Sequence, residues 1–200
     1  MNPKIKICGV NDAAFAAEAE RLGADYIGVI FVEGSPRMVT PEKAREIVSV
    51  LSGRTSAVGV FGGEPAAEVA RIARFAGVGI VQLHRRASSE DVAALRAEGF
   101  EVWALAGGAP ADALLFDSSH GDGETSLRRG PWKTVLAGGV NAENVAEVMR
   151  SGADVVDASG SLETSPGVKS IAKLSEFMER VKACAGDRAE AACDRNLTIV

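Results

Sequence analysis

The sequence predicts one α/β domain in which eight parallel strands close into a (β/α)₈ barrel, in a short version that lacks the fifth helix. Short apolar, β-branched runs alternate with Ala-, Glu- and Arg-rich segments of helical periodicity, which is the pattern of repeated βα units. Eight such runs occur along the chain. The chain has 200 residues, 46% hydrophobic and 24% charged, so it fits one domain with a sizeable core.

The predicted strands share short apolar runs that end at glycine or polar residues. They are Ile5–Ile7, Tyr26–Phe31, Ala57–Phe61, Gly79–Gln82, Glu101–Ala104, Leu114–Phe116, Lys133–Ala137 and Asp154–Ala158. The predicted helices are Asp12–Leu22, Pro41–Leu51, Pro65–Phe75, Ser89–Ala97, Ala142–Ser151 and Ser170–Ala183. Thr40 and Asn141 suit N-caps, Pro41 and Pro65 suit first-turn positions, and Gly23 suits a C-terminal cap.

Two connections and the C-terminus depart from a regular barrel. The linker LAGGAPAD, before Ala113, is too short for a crossover helix, yet extended it reaches about 26 Å, enough to return along a strand. The polar loop 118–131 leaves a sixth helix short or absent. We assign residues 1–184 to the barrel and 185–200 to a tail, which is either disordered or docked through Leu197–Val200.

The composition excludes several classes of protein. A net charge of -5, with Lys and Arg scattered among Asp and Glu, lacks the basic patch of a nucleic-acid-binding protein. The chain has no apolar run of about eighteen residues and its first residues are too polar for a secretory signal, so we expect a cytoplasmic protein with no membrane partner. Cys8, Cys184 and Cys193 lack CxxC spacing and should remain thiols, and two histidines without ligand spacing argue against a metal site.

The candidate site lies just past the strand ends, because barrels of this kind place their chemistry on those loops. The candidates are Cys8, Arg37, Gly62, Gly63, Gln82, His84, Asp117, Gly138, Gly139, Asp157, Ser159, Gly160 and Ser161. Paired glycines in LAGGV and hydroxyls in DASGS can surround a phosphate after strands seven and eight. We therefore predict a small phosphorylated ligand.

Taken one at a time, these residues also have ordinary structural explanations. A lone cysteine such as Cys8 is most often a small core side chain. Asp117 could cap the next turn, and Arg37 could be a solvated surface charge. His84 is better explained as a structural histidine than as a catalytic one, and His120 has no assigned role.

Seven segments, taken in order, identify a family. They are KICGV (6–10), FVEGSPR (31–37), VGVF (58–61), VQLH (81–84), LLFDS (114–118), LAGGVNAENV (136–145) and VDASGSLETSPGVKS (156–170). Together they resemble the phosphoribosylanthranilate isomerase family, a (β/α)₈ barrel enzyme of tryptophan biosynthesis, from Lys6 to about Lys182. The joint match is far more specific than any single segment.

The resemblance implies an Amadori rearrangement of N-(5-phosphoribosyl)anthranilate, without a cofactor. It implies that Asp117 is the general acid that opens the furanose ring and that Cys8 is the base that removes the C2 proton. Arg37 would bind the anthranilate carboxylate, and Asp157 would have a positioning role. The ribose phosphate would be bound by Gly138, Gly139, Ser159, Gly160 and Ser161.

The match departs from the family pattern in three loops. The loop after strand six has lost a Gly-Gly and an Asp, Gly160 and Ser161 stand in swapped order, and Arg85 follows VQLH where glycine is usual. Two other functions therefore stay open: a divergent barrel that isomerises another aldose-amine phosphate, and a non-catalytic barrel that binds a sugar phosphate. The sequence is compatible with a monomer or a homodimer.

Overall fold

The computed structural model describes residues 2–118 and 130–195, with side chains described to residue 184. Its centre is a closed barrel of eight parallel strands in sequential order, each paired with its neighbours along the chain and the last paired with the first. The strands are β1 (Lys4–Ile7), β2 (Tyr26–Ile30), β3 (Ser56–Phe61), β4 (Ile80–Leu83), β5 (Glu101–Leu105), β6 (Ala113–Asp117), β7 (Lys133–Ala137) and β8 (Val155–Ala158). The predicted fold class and all eight strands are confirmed.

Six α-helices are present in the described residues: α1 (Ala13–Leu22), α2 (Pro41–Ser49), α3 (Ala66–Ala76), α4 (Ser89–Ala97), α5 (Val145–Arg150) and α6 (Ile171–Arg195). Side chains cap three of them. Asp12 accepts from the Phe15 N–H at 2.9 Å, Thr40 from the Lys43 N–H at 3.2 Å, and Ser88 from the Asp91 N–H at 3.1 Å. Gly23 ends α1 at a φ of 102°, as predicted.

Two predicted helix starts were wrong. Pro65 is the N-cap of α3 rather than its first residue, with an extended ψ of 149°. The helix predicted from Ala142 begins only at Val145, because Asn141 and Asn144 first close a turn on each other. The Asn141 side chain accepts from the Asn144 N–H at 2.9 Å, and the Asn144 side chain accepts from the Asn141 N–H at 2.9 Å.

The connection from β5 to β6 contains no helix, as predicted from its length. Residues 106–112 instead run back along the outside of the barrel, and Ala109 donates its N–H to the Ala87 carbonyl at 2.9 Å. Asp112 ends the connection by accepting from the Val102 N–H at 2.8 Å and from Arg96. The loop 118–131, for which we predicted a short or absent helix, falls mostly at 119–129, outside the described residues.

The C-terminal part adds a small hairpin and a long helix. After β8 a 3₁₀ turn (Gly160–Leu162) leads into an antiparallel pair, β9 (Glu163–Ser165) and β10 (Val168–Lys169). Helix α6 then continues past Ala183, its predicted end, to Arg195. The helix therefore crosses residue 184, where we predicted that the barrel ends. The division of the chain into a barrel and a tail stays a prediction. The proposed docking segment Leu197–Val200 lies outside the described residues.

The core has two layers, which follow from strand alternation. Ile5 and Ile7 of β1 point outward and pack with helix residues such as Phe15 and Ala16. The interior is filled by Tyr26, Val58, Ile80, Trp103, Ala113, Leu115, Val135, Ala137 and Val155. Alternate positions of a strand face inward, so Ile5 and Ile7 of β1 belong to the outer layer and Lys6 faces the barrel interior. No helix within the described residues is both long and apolar enough to cross a membrane.

The helix-free connection depends on a close backbone approach at Gly108. A Cβ added there would lie 2.8 Å from the Ala87 nitrogen and 2.9 Å from its oxygen, and neither is a movable side-chain end. We expect Gly108→Ala to lower the free energy of unfolding by about 1–3 kcal/mol, the usual cost of overpacking. Urea denaturation measures this. Gly63→Ala, at a loop glycine whose Cβ would meet nothing within 4 Å, is the matched control; equal stability of the two variants would contradict the expectation.

Candidate active site

A cavity of about 440 Å³ opens at the carboxyl ends of the strands. All nine residues predicted for the catalytic and binding roles line it: Cys8, Arg37, Asp117, Gly138, Gly139, Asp157, Ser159, Gly160 and Ser161. Gln82 and His84, also noted at strand ends, line it as well. Barrel closure thus brings together residues that are far apart in the sequence. Cys8 and Ser159, for example, are separated by 151 positions and line the same cavity.

Cys8 is held by backbone contacts at the end of β1. Its N–H donates to the Ala158 carbonyl at 2.8 Å, and its own carbonyl accepts from the Ser159 hydroxyl at 3.1 Å. Gly28 on β2 leaves room for the thiol, because a Cβ there would lie 2.8 Å from the sulfur. Burial raises the pKa of the Cys8 thiol, and the charge of Lys6 partly offsets this effect.

Lys6 and Asp157 form a buried ion pair next to Cys8. The Lys6 Nζ lies 2.6 Å from the Asp157 Oδ2, and the side chains are 0% and 7% exposed. Burial by itself would lower the pKa of Lys6, but the interactions with Asp157 and Cys8 together outweigh it and the pKa is raised. Burial raises the pKa of Asp157, and Lys6 opposes that shift. Lys6 therefore stays protonated beside the thiol, a role that sequence analysis did not assign to it.

Asp117 lies at the end of β6, across the cavity from β1. Asp117 is paired in register with Ala137 of β7. Gly138, the residue after Ala137, packs closely against Asp117, because a Cβ on Gly138 would lie 2.6 Å from the Asp117 Oδ1. Its negative charge also contributes to the raised pKa of Asp157, after the larger effect of burial. The two carboxyl groups are therefore electrostatically coupled inside one cavity.

Arg37 is fixed by a carboxylate that sequence analysis missed. Its Nε and Nη2 donate to the two oxygens of Glu163 at 2.6 and 2.8 Å, a bidentate geometry. Lys169 reaches the same carboxylate at 3.0 Å and donates to the Ser159 carbonyl at 3.0 Å. Burial alone would raise the pKa of Glu163, but hydrogen bonds from Arg37 and Lys169 outweigh it and lower the pKa to about 2.

The glycine and serine residues after β7 and β8 line the cavity and approach Arg37, since a Cβ on Gly160 would lie 3.4 Å from the Arg37 Nη2. Three successive carbonyls of the loop after β7 accept side-chain hydrogen bonds. Ser118 donates to Gly138, Asn144 to Gly139 and Ser161 to Val140, at 3.0, 2.9 and 2.5 Å. With its carbonyls engaged by side chains, this loop is held next to the 3₁₀ turn after β8.

Gln82 brings an unsatisfied acceptor to the same cavity. It lies on β4, its side chain is 2% exposed, and its Oε1 has no hydrogen-bond partner among the described residues. The Asp157 Oδ1 shares this property. Because buried polar atoms are normally paired with protein groups, water or a ligand, these two acceptors can receive hydrogen bonds from a molecule in the cavity.

Comparison with known proteins shows the family to which the chain belongs. A family model described as N-(5'phosphoribosyl)anthranilate (PRA) isomerase matches residues 5–180. The chain is 34% identical to the N-(5'-phosphoribosyl)anthranilate isomerase of Zymomonas mobilis, over 91% of this chain and 99% of that protein. It is 36% identical to the same enzyme of Desulforamulus reducens, over 90% and 95% of the two chains.

Solved structures give the same result. The phosphoribosyl anthranilate isomerase of Thermus thermophilus superposes with a TM-score of 0.79 at 32% identity, covering 90% of this chain and 98% of that one. A phosphoribosyl anthranilate isomerase in complex with reduced 1-(o-carboxyphenylamino)-1-deoxyribulose 5-phosphate gives a TM-score of 0.77 at 27% identity, with 90% and 99% covered. The similarity extends over the whole barrel.

The low pKa of Glu163 predicts a pH dependence of stability. A carboxyl that titrates near 2 when folded and near about 4.3 when unfolded stabilises the protein above pH 4.3, and this contribution disappears as the pH falls to 2. We expect wild type to lose about 3 kcal/mol more than Glu163→Gln between pH 5 and pH 2. Urea titrations at several pH values measure the difference. Glu68→Gln, at an exposed helix pair, is the control; parallel curves for wild type and Glu163→Gln would refute the assignment.

Proposed function

The chain belongs to the N-(5'-phosphoribosyl)anthranilate isomerase family, and we propose that it catalyses the family's Amadori rearrangement with Cys8 as base and Asp117 as acid. The substrate is N-(5-phosphoribosyl)anthranilate and the product is 1-(2-carboxyphenylamino)-1-deoxyribulose 5-phosphate. One observation supports this most strongly. The thiol of Cys8, the carboxyl of Asp117, the guanidinium of Arg37 and the glycines and serines after β7 and β8 all line one cavity.

The first step opens the sugar ring. The Asp117 carboxylic acid donates its proton to the furanose oxygen as the C1–O bond breaks, and that bond's electron pair stays on the oxygen. The nitrogen lone pair forms the C1=N bond of a protonated Schiff base. An acid at the end of β6 supports this step because it lines the same cavity as the proposed base on β1.

The second step moves a proton from C2. The Cys8 thiolate removes it, the C2–H electron pair forms C1=C2, and the C1=N electrons return to nitrogen, which gives the enolamine. Transfer of a proton to C1, with loss of the hydroxyl proton at C2, completes the ketose. Because its raised pKa makes the Cys8 thiolate a stronger base than an ordinary thiolate, burial favours the proton transfer itself while reducing the thiolate fraction at neutral pH.

Each anionic group of the substrate has its own proposed binding group in the cavity. Arg37 binds the anthranilate carboxylate with the N–H groups that Glu163 does not use, and Glu163 keeps the guanidinium oriented. Gly138, Gly139, Ser159, Gly160 and Ser161 bind the phosphate through backbone N–H groups, because the two serine hydroxyls already donate to backbone carbonyls. Asp157 accepts from a sugar hydroxyl through its unpaired oxygen. His84 keeps its predicted structural role.

We also propose a cellular location and an oligomeric state for the protein. A cytoplasmic location suits the mechanism because a reducing compartment keeps Cys8 as a thiol. The protein acts as a monomer or a homodimer, with a small phosphorylated substrate as its partner. Incubation of the purified protein with freshly made phosphoribosylanthranilate, followed by loss of the anthranilate-type fluorescence, tests the activity directly.

Removal of the base or the acid should abolish most of the rate. We expect Cys8→Ser and Asp117→Asn each to lower kcat by about 10²–10⁴-fold, with KM changed little, because a hydroxyl is a poor base and an amide cannot donate the proton. Steady-state kinetics measures both. Cys184→Ser, at the partly buried cysteine of α6, is the matched control. A folded Cys8→Ser enzyme within a few-fold of wild type would refute the base assignment.

Loss of the guanidinium should affect binding rather than chemistry. We expect Arg37→Ala to raise KM by about tenfold or more, with a smaller change in kcat, because a carboxylate loses a charged, hydrogen-bonding partner. The same assay reports both constants. Arg71→Ala removes an equal charge from an exposed pair on α3 and should change neither. A fall in kcat at constant KM would assign Arg37 a different role.

A further inference from the structure

Lys6 is a buried cation on the same face of β1 as Cys8. Alternate strand residues share a face, and Ile5 and Ile7 pack outward, so the Lys6 and Cys8 side chains both point into the barrel. The Lys6 side chain is 0% exposed, and its Nζ is 2.6 Å from the Asp157 Oδ2. The pair is set by barrel closure, because Lys6 and Asp157 are register partners on β1 and β8.

Stability alone is a poor explanation for this ion pair. Removing two charges from water is costly, and apolar residues of similar volume often give an equally stable or more stable protein. Interior positions such as Tyr26, Trp103 and Val135 are occupied by apolar or aromatic side chains that pack in one cluster. The pair is also incompletely satisfied, since the Asp157 Oδ1 has no partner among the described residues. A charge kept under such conditions indicates a functional use.

We propose that Lys6 is a positioning residue that stabilises the Cys8 thiolate, and that Asp157 holds its ammonium group in place. The Lys6 and Cys8 side chains leave the same face of β1, and the ion pair holds the Lys6 ammonium against Asp157, which lines the same cavity as Cys8. The charge of Lys6 therefore faces the sulfur on which negative charge appears when the thiol loses its proton. This inference rests on the proposed function, because it explains how a buried thiol can serve there as a base.

Several charged groups face this sulfur, and their signs decide what a variant should do. Lys6, Lys169 of β10 and Arg37 in the loop after β2 favour the thiolate, whereas Asp157 of β8 disfavours it. Asp117 of β6 acts on Asp157. Burial raises the pKa of Cys8, and Lys6 is the largest of the charges that lower it. Removal of Lys6 should therefore raise the pKa of Cys8 further, and removal of the Asp157 charge should lower it.

The test titrates the thiol in the absence of substrate. The ultraviolet absorbance of the thiolate is followed against pH for each protein, and the curve of the same protein with Cys8→Ser is subtracted. We expect the midpoint of Lys6→Met to lie about one unit or more above that of wild type, and that of Asp157→Asn to lie below it. Lys4→Met removes the same charge from the exposed start of the same strand and should leave the midpoint unchanged.

The double variant Lys6→Met/Asp157→Leu covers the case in which Lys6→Met does not fold, because it leaves no unpaired buried charge. Its midpoint should also rise. An unchanged midpoint in the folded Lys6 variants, or an equal rise in Lys4→Met, would overturn the proposal. The ascending limb of kcat/KM against pH should move by the same amount as the thiol midpoint. If the thiol titrates as expected while no protein has isomerase activity, the proposed function fails and the role of Lys6 stands.

Discussion

The pairing of β1 with β8 is the contact on which the site depends. Four register pairs join the first strand to the last, from Lys4 with Val155 to Ile7 with Ala158, and the Cys8 N–H continues the ladder to the Ala158 carbonyl. This pairing brings the N-terminal thiol beside the loop that follows β8. It also makes Asp157 the partner of Lys6, so one backbone ladder positions the proposed base, its neighbouring cation and one side of the proposed phosphate site.

Three cations lie in or beside the cavity of a protein that is acidic overall, and each of them is paired with a carboxylate. Lys6, Arg37 and Lys169 are set against the carboxylates of Asp157 and Glu163, while the whole chain has a net charge of -5. Each cation is bonded to a carboxylate and each also acts electrostatically on Cys8. This arrangement suits a substrate with anionic groups at both ends, because local charges, rather than net charge, decide what a cleft attracts.

The sequence predicted the barrel well because its signals are local. Alternation of apolar residues locates strands, and Thr40 before Pro41 marks a helix start without reference to the rest of the chain. Asn141 was misjudged because two asparagines three residues apart prefer to close a turn. Lys6 and Glu163 could not be assigned from the residues alone: a lysine in a strand and a glutamate in a loop are usually solvated, and only their partners, 151 and 126 residues away, show otherwise.

The connection without a helix packs on the outside of the barrel, whereas the proposed catalytic side chains line the cavity at the strand ends. The shortened connection joins β5 to β6, whereas the base and the Lys6–Asp157 pair belong to β1 and β8. A loop can replace the helix because the small side chains of Ala109 and Ala111 cover the outer face there, and Asp112 ties the returning chain to Val102. The β5–β6 connection can therefore lack a helix while Asp117, at the end of β6, still lines the cavity together with Cys8.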